Sequence, residues 1–271
     1  MHVGDRHVSR HSDGGIDLEQ NTKLALVIAG NFSGDEENAD PCTLLNYLPE
    51  DIVDCCQLIE WSCQPSNHYS MKLTAEMEEM FDTLVSDGYT GIIVISGSGV
   101  MEEMAYLTDL LWKHPEPVIF ANLMVQGRAG LKEGLMNLRC SVLAALSEEA
   151  REKGVLICSS GELFAASEAV MVDPTSTDNA FQSPEKGSVG KMLNDEVKFL
   201  RNVRRPGFLA RKPEAPAAVE LVYASLGGGE RIISSLASNK EIQGLVLAGF
   251  GTGNVPPSWI PHIRNILRKR I

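Results

Sequence analysis

The stretch Ser96-Gly97-Ser98-Gly99 sets two hydroxyls among two glycines, directly after the apolar run Gly91–Ser96 (GIIVIS) and ahead of a helical pattern that begins near Val100. Hydroxyls and backbone N–H groups converging on a helix start make a neutral donor set that suits an anion, a polarised carbonyl oxygen or a departing anionic group. A serine hydroxyl in such a turn is a weak nucleophile at neutral pH unless a base or a cation activates it. Glu102 and Glu103 follow on the helix, where a structural role competes with proton transfer. Other chemistry-bearing residues are less organised. Asp173 and Asp178 lack metal-ligand spacing, and Gly227-Gly228-Gly229 lacks the Lys-Ser or Lys-Thr of a phosphate loop and reads as the lead into a helix. His2, His7 and His11 are scattered through a polar terminus and read as solvated. No metal and no cofactor is therefore implied.

The elements that must position the Ser96–Gly99 turn are short. Lys23–Gly30 (KLALVIAG), Gly91–Ser96, Pro117–Ala121 (PVIFA) and Gly154–Cys158 are apolar runs of the kind that form strands buried on both faces. Helical stretches at Thr74–Val85, Val100–Trp112 and Glu133–Lys153 separate them. Strands alternating with helices predict an α/β fold with a doubly wound parallel sheet, whose ligands sit beyond the strand carboxyl ends. That rule singles out the loops 30–34, 96–99 and 121–130. Residues 1–21 read as a flexible tail and 22–201 as the first domain. Residues 202–216 read as a linker rich in Pro, Arg and Lys, and 217–271 as a small, incomplete second α/β lobe. That lobe reads as strand Val219–Tyr223, helix Glu230–Ala237, strand Gly244–Ala248 and a basic amphipathic helix Trp259–Arg270. So few residues around two strands bury too little surface to stand alone, so something else is expected to cover the lobe.

Composition narrows the partners. The chain has 271 residues, 44% of them hydrophobic and 22% charged, with a formal charge of −12. A surface that acidic argues against nucleic acid and anionic membranes and points to a small molecule or a protein. No apolar run approaches the ~20 residues of a membrane span. The six cysteines form no C-x-x-C pair, which suggests reduced thiols in a cytoplasm. Met71, Met77 and Met80 share a helical stretch and read as core or subunit packing.

Several motifs together resemble one family. Gly91–Tyr106 (GIIVISGSGVMEEMAY) resembles the bacterial L-asparaginase signature in which a strand leads into H-G-T-D-T-M-E-E-T-A-Y. Leu24–Gly34 (LALVIAGNFSG) is similar to that family's first strand and T-G-G-T-I-A turn, and Pro65-Ser66-Asn67-His68 to its substrate-binding serine loop. Gly134, Asn137 and Leu138 fall on its D-G-P-x-N-L segment, and Ala248–Asn254 on its A-G-x-G-x-G-N turn. The resemblance covers nearly the whole chain and implies the asparaginase fold. It also implies losses. The nucleophilic threonine aligns with Phe32, the partner lysine with Met171, the aspartate that grips the substrate ammonium with Gly99, and the preceding histidine with Ser96. Hydroxyls remain at Ser98 and Ser66, and a one-residue slide of the first loop presents Ser33.

The resemblance places Ser98, His68 and Ser33 as the candidate catalytic residues, with His68 the nearest proton acceptor by alignment. Ser66, Asn67, Ser96, Gly97, Gly99, Phe32 and Asn31 are the candidate substrate-binding residues. Three functions are open at this point. The first is a cofactor-independent enzyme that displaces or eliminates an anionic leaving group from an amino-acid-derived metabolite, as a cyclase or lyase. The second is an amidohydrolase using Ser33 or Ser98, and the third a non-catalytic binding subunit. Relative to the family pattern the chain stops early, so the expected partner is a protein completing the second lobe, or another copy of the chain.

Overall fold

The computed structural model describes residues 22–30, 45–46, 48–123, 127–176, 179–205, 207–209 and 217–268. The chain divides into two units, Met1–Lys212 and Pro213–Ile271.

In the first unit, β1 (Leu24–Ala29), β2 (Cys56–Ser62), β3 (Gly91–Ser96), β4 (Val118–Asn122) and β5 (Val155–Ser159) are parallel. The sheet continues through β6 (Glu162–Ala165), β9 (Gly190–Leu193) and β10 (Glu196–Phe199) in the order β10-β9-β6-β5-β4-β3-β1-β2. Those last three strands pair antiparallel, so the doubly wound parallel sheet holds for five strands and turns mixed at one edge. The cause is local. Ser160 and Gly161 have φ of 54° and 69°, and Asn194 and Asp195 have φ of 51° and 62°. Each pair therefore makes a two-residue hairpin of the primed kind that twisted antiparallel strands favour. The small ribbon of β7 (Val170–Met171) and β8 (Phe181–Gln182) lies apart from this sheet.

Strands β1, β3, β4 and β5 are buried at every position. One face carries Leu26, Ile28, Ile93, Ile119 and Leu156 under Leu138 and Val142 of the helix Gly127–Leu146. The other carries Val27, Val94, Phe120 and Ile157 under Met77 and Phe81 of the helix Met71–Ser86 and Met101 and Met104 of the helix Met101–Leu111. With α1 the short turn of helix Glu50–Val53, these three are α2 (Met71–Ser86), α3 (Met101–Leu111) and α4 (Gly127–Leu146). Each fully buried Val, Leu, Ile or Phe contributes about 1.5–3 kcal/mol, which is why continuous apolar runs settle at the sheet centre. Helix α4 ends at Leu146 instead of running to Lys153. The Ser147 hydroxyl accepts from Glu149 N–H at 3.3 Å and opens a separate short turn, competing with the helical ladder.

The stretch that reads as a linker, 202–216, is tied to the first unit at its start. Arg205 donates to the carbonyls of Asp109 at 2.6 Å and Trp112 at 2.8 Å, and Leu209 N–H donates to Leu110 at 2.6 Å.

In the second unit, β11 (Val219–Tyr223) and β12 (Gly244–Ala248) pair in parallel. Helices α5 (Glu230–Leu236) and α6 (Ile260–Arg268) share with them a core of Val222, Ile233, Ala237, Trp259 and Ile266. The basic helix therefore begins after Trp259, which is the core's largest member. Gly229 (φ 86°) has to be glycine, since a Cβ there would lie 2.0 Å from the Trp259 ring. The indole N–H closes the turn by donating to Gly228 O at 3.1 Å. The triple glycine is thus a seat for a tryptophan.

Candidate active site

Four strand ends line up at the carboxyl edge of the first sheet. Ala29 is opposite Ser96, and Ser96 opposite Asn122. Asn122 Nδ2 reaches Ser159 Oγ at 3.4 Å. Beyond Ser96 the chain makes a short 3₁₀ turn, Ser98–Val100, that runs into α3. A second short turn, Ser66–His68, packs against it. It is followed by the Ser70 hydroxyl, which caps α2 by accepting from Leu73 N–H at 3.2 Å.

The contact between these turns depends on absent side chains. An ideal Cβ on Gly97 would lie 3.0 Å from Ser66 Oγ, and one on Gly99 2.9 Å from it. The Ser66 hydroxyl is therefore seated over the Gly97–Gly99 turn with Ser98 between the two glycines. A Cβ on Gly30 would lie 3.1 Å from Gly97 N, so the first turn also leaves β1 close to this backbone. The structure thus brings together Ser66, Gly97, Ser98 and Gly99. Ser66, Gly97 and Ser98 are half-buried, while Gly99 is exposed.

The other candidates are placed differently. Ser96 is fully buried on its strand, with no hydrogen-bond partner for its hydroxyl among the described residues, so it lies beneath the turn and not on its surface. Asn67 and His68 belong to the Ser66–His68 turn, which buries none of its residues. Among the described residues the His68 ring makes no hydrogen bond or ion pair. Asn31, Phe32 and Ser33 lie outside the described residues. Glu102 is a tie within the fold, since its carboxylate accepts the backbone N–H of Met171. Met171 itself packs against the apolar cluster under α3. No described lysine hydrogen-bonds to Ser66, Ser96 or Ser98. Lysine partnerships lie elsewhere, as in Lys153 with Asn202 and Lys186 with Glu168.

Two of the thiols are held in the protonated form. No disulfide joins Cys55, Cys56, Cys63, Cys140 or Cys158. The neighbouring Cys55 thiol and burial push Cys56 up, and burial next to Cys140 pushes Cys158 up, so both stay protonated and inert. Among the described residues no cluster of His, Cys, Asp or Glu has the arrangement of a metal site. No helix among them is long and apolar enough to cross a membrane.

Sequence reasoning passed over Asn122, whose side-chain oxygen is buried without a partner among the described residues, one strand away from the Ser96 hydroxyl. A polar residue closing the apolar run Val118–Asn122 was the available signal. It also passed over the structural role of Asn137, which donates to Asn122 O and accepts from Gly161 N–H, each at 2.9 Å. That side chain pins the end of β4 and the β5–β6 turn to α4.

The family model described as Asparaginase, N-terminal, matches residues 23–205. The chain is 25% identical over 268 residues to an L-asparaginase of Bacillus licheniformis, covering 98% of this chain and 80% of that protein. A probable periplasmic L-asparaginase of Haemophilus influenzae is 29% identical over 187 residues, 67% of this chain and 53% of that protein. A glutaminase-asparaginase of Pseudomonas aeruginosa is 28% identical over 191 residues, 69% of this chain and 52% of that protein, so the chain spans about half the length of these two. Among solved structures, a probable cytoplasmic L-asparaginase from Campylobacter jejuni superposes with a TM-score of 0.81 at 21% identity, covering 92% of this chain and 82% of that one. The sheet order, the serine turns at its carboxyl edge and a family match over more than half of its length agree: the chain belongs to the asparaginase family.

Proposed function

We propose that the protein is an amidohydrolase that uses Ser98 on a carboxamide whose α-nitrogen carries no charge. The observation that carries this reading is the Ser66 hydroxyl seated over the Gly97–Gly99 turn. In this reading the hydroxyls of Ser66 and Ser98 and the backbone N–H groups of the turn flank one small space. In it, Ser98 Oγ attacks the amide carbonyl, the C–N bond breaks and ammonia leaves with a proton. Water then cleaves the acyl-serine to a carboxylate. The Ser66 hydroxyl and the turn's N–H groups donate to the carbonyl oxygen as negative charge builds.

Gly99 sets the substrate class. It stands where the family's ammonium-binding aspartate aligns, and without that carboxylate a free amino acid loses its charge-assisted hydrogen bond. Free asparagine and glutamine are then poor substrates, and acylated or peptide-linked ones better. The relatives named as asparaginases and glutaminase-asparaginases support amide hydrolysis as the reaction type. The free thiols fit a reducing cytoplasm.

The test is ammonia release from free asparagine, free glutamine and their N-acetyl forms. The expected result is turnover of the acetylated amides, lost in Ser98→Ala and weakened mainly through kcat in Ser66→Ala. Absence of ammonia from every amide overturns the reading.

A second reading rests on Met171, which packs into the core where the family's lysine aligns. With no cation to activate a hydroxyl, the neutral donors suit displacement or elimination of an anionic leaving group by a nucleophile within the substrate, a cyclase or lyase reaction. The exposed apolar side chains of Val219, Leu221, Tyr223 and Val246 in the second unit support a covering protein partner or a second copy of the chain. Size-exclusion chromatography with intact-mass analysis of whatever co-purifies tests this.

A further inference from the structure

Immediately beside the serine turns lies an apolar groove of about 450 Å³ that the hydrolysis itself does not use. Its floor and walls are Tyr69 and Met71 at the start of α2, and Val100, Met104, Leu107 and Leu110 along α3. Both ends of the candidate site lead into it. Tyr69 follows the Ser66–His68 turn directly, and Val100 is the last residue of the Ser98–Val100 turn. Its volume falls within the range that encloses small organic ligands. From Val100 to Leu110 the groove can follow α3 for about 15 Å at the helical rise of 1.5 Å per residue. Met71 and Tyr106 are 55% and 39% exposed, an amount of accessible apolar surface that a ligand would remove from water.

We propose that this groove holds an apolar arm of the substrate, so that the preferred substrates are amides bearing a long acyl chain on the α-nitrogen. The inference rests on the amidohydrolase reading for the reacting end and on the groove alone for the arm. Gly99 is the junction. Its Cβ position is filled by Ser66 Oγ at 2.9 Å, its remaining surface is exposed, and Val100 on the groove wall follows it directly, so an acyl group leaving the α-nitrogen over that exposed backbone continues onto the groove. The far chemistry of the arm follows from Glu103, an exposed carboxylate on the groove wall with no ion pair among the described residues. It repels a second carboxylate, so the arm ends in a neutral or cationic group. Tyr69 adds no charge, since burial pushes its phenol up.

The experiment compares N-acetyl-, N-butanoyl-, N-hexanoyl- and N-octanoyl-asparagine. Ammonia release is measured with the unaltered protein, and calorimetric binding with Ser98→Ala. The expected result is a rise of at least about tenfold in kcat/KM from acetyl to octanoyl, carried by KM, with a parallel rise in affinity, as burial of successive CH₂ groups supplies. Met71→Glu and Tyr106→Ala, both at exposed positions, flatten that rise. If ammonia is released but kcat/KM is independent of chain length, the groove inference is overturned and the amidohydrolase reading stands. If no amide is cleaved yet Ser98→Ala binds the octanoyl compound more tightly than the acetyl one, and Met71→Glu abolishes the difference, the groove inference stands and the hydrolytic reading falls. Weak, length-independent binding without cleavage overturns both.

Discussion

The two units share one local grammar, parallel strands joined through helices, and reach different degrees of burial. Every residue of β1, β3, β4 and β5 is buried. Of β11, only Val222 is buried, and Val219, Leu221 and Tyr223 are 50%, 53% and 70% exposed. Eight of the sixteen exposed large apolar side chains among the described residues belong to the second unit, although it spans only Pro213–Ile271. The difference lies in the number of layers. Helices cover both faces of the first sheet, whereas the β11–β12 ribbon has a helix-covered face with Val222 and an opposite face that keeps its apolar residues in solvent. Alternation along a strand supplies an apolar face, but burial needs something placed against it.

Trp259→Ala tests that contrast most strongly. It should cost about 3–5 kcal/mol, as truncation of a buried aromatic does. Because the second core contains only four other buried residues among those described, its amides should exchange with solvent while those of β3 and β4 stay protected. Hydrogen exchange followed by mass spectrometry reads both units in one sample, and equal loss of protection in β3 would break the contrast.

Gly154→Ala should act on the first unit, at about 2–4 kcal/mol through a forced backbone and a steric clash. Gly154 has φ of 75°, and its Cβ would lie 2.3 Å from Asp109 Oδ1 and 2.6 Å from Arg205 Nε. Asp109 anchors the start of β5 by accepting from Val155 N–H at 2.9 Å and pairs with Arg205 at 3.1 Å. Denaturant unfolding monitored by Trp112 fluorescence should show the loss, and a change under about 1 kcal/mol would contradict the crowding.

Acid should loosen the antiparallel edge of the first unit before its parallel centre. Burial raises the Glu168 carboxyl, but hydrogen bonds and charge from Arg201 and Lys186 outweigh it and hold the group below its ordinary value. A carboxyl with a lowered folded-state pKa contributes stability in full above its unfolded value of about 4.3, and that stability disappears as pH falls through the lower folded value. Glu168→Gln should therefore lower stability at neutral pH and remove part of the decline between about pH 5 and about pH 3. An unchanged pH profile in the variant would assign the acid sensitivity to other groups.

The smallest effect should come from Leu221→Thr on the open face of β11. A surface change of this kind stays within about 0.5 kcal/mol in the chain alone. In a complex with the partner proposed for that face, the same change should weaken association measurably, and equal affinity of both proteins would leave the face without that role.

Much of this organisation was legible in residue order. Continuous apolar runs such as LALVIA and GIIVIS can only be strands buried on both faces, and Ser70 ahead of MKLTAEMEEM is a cap ahead of an amphipathic helix. The hairpins at Ser160-Gly161 and Asn194-Asp195 were written there too, as residue pairs that tolerate positive φ, yet the alternation of strands and helices drew the reading toward a wholly parallel sheet. Strand β2 was hidden by its partial burial, since an edge strand mixes polar and apolar residues on both faces. At the site, the types and order of Ser66, Ser96, Ser98 and the glycines were readable, and the resemblance to asparaginases joined them. Their spatial roles were not, because they depend on distances across separate segments.

The sequence by itself determined the strands, the helices and the stock of groups at the carboxyl edge: hydroxyls, glycines, and a methionine where the family's lysine aligns. Only the tertiary structure decided that Ser66 Oγ rests over Gly97 and Gly99, that Ser96 is sealed beneath them, and that α2 and α3 leave an apolar groove beside the turn. The physical reason is range. Strand and helix preferences arise among residues a few positions apart, whereas Ser66 and Gly99 meet only because β1, β3 and their helices are stacked by burial of side chains distant in the chain.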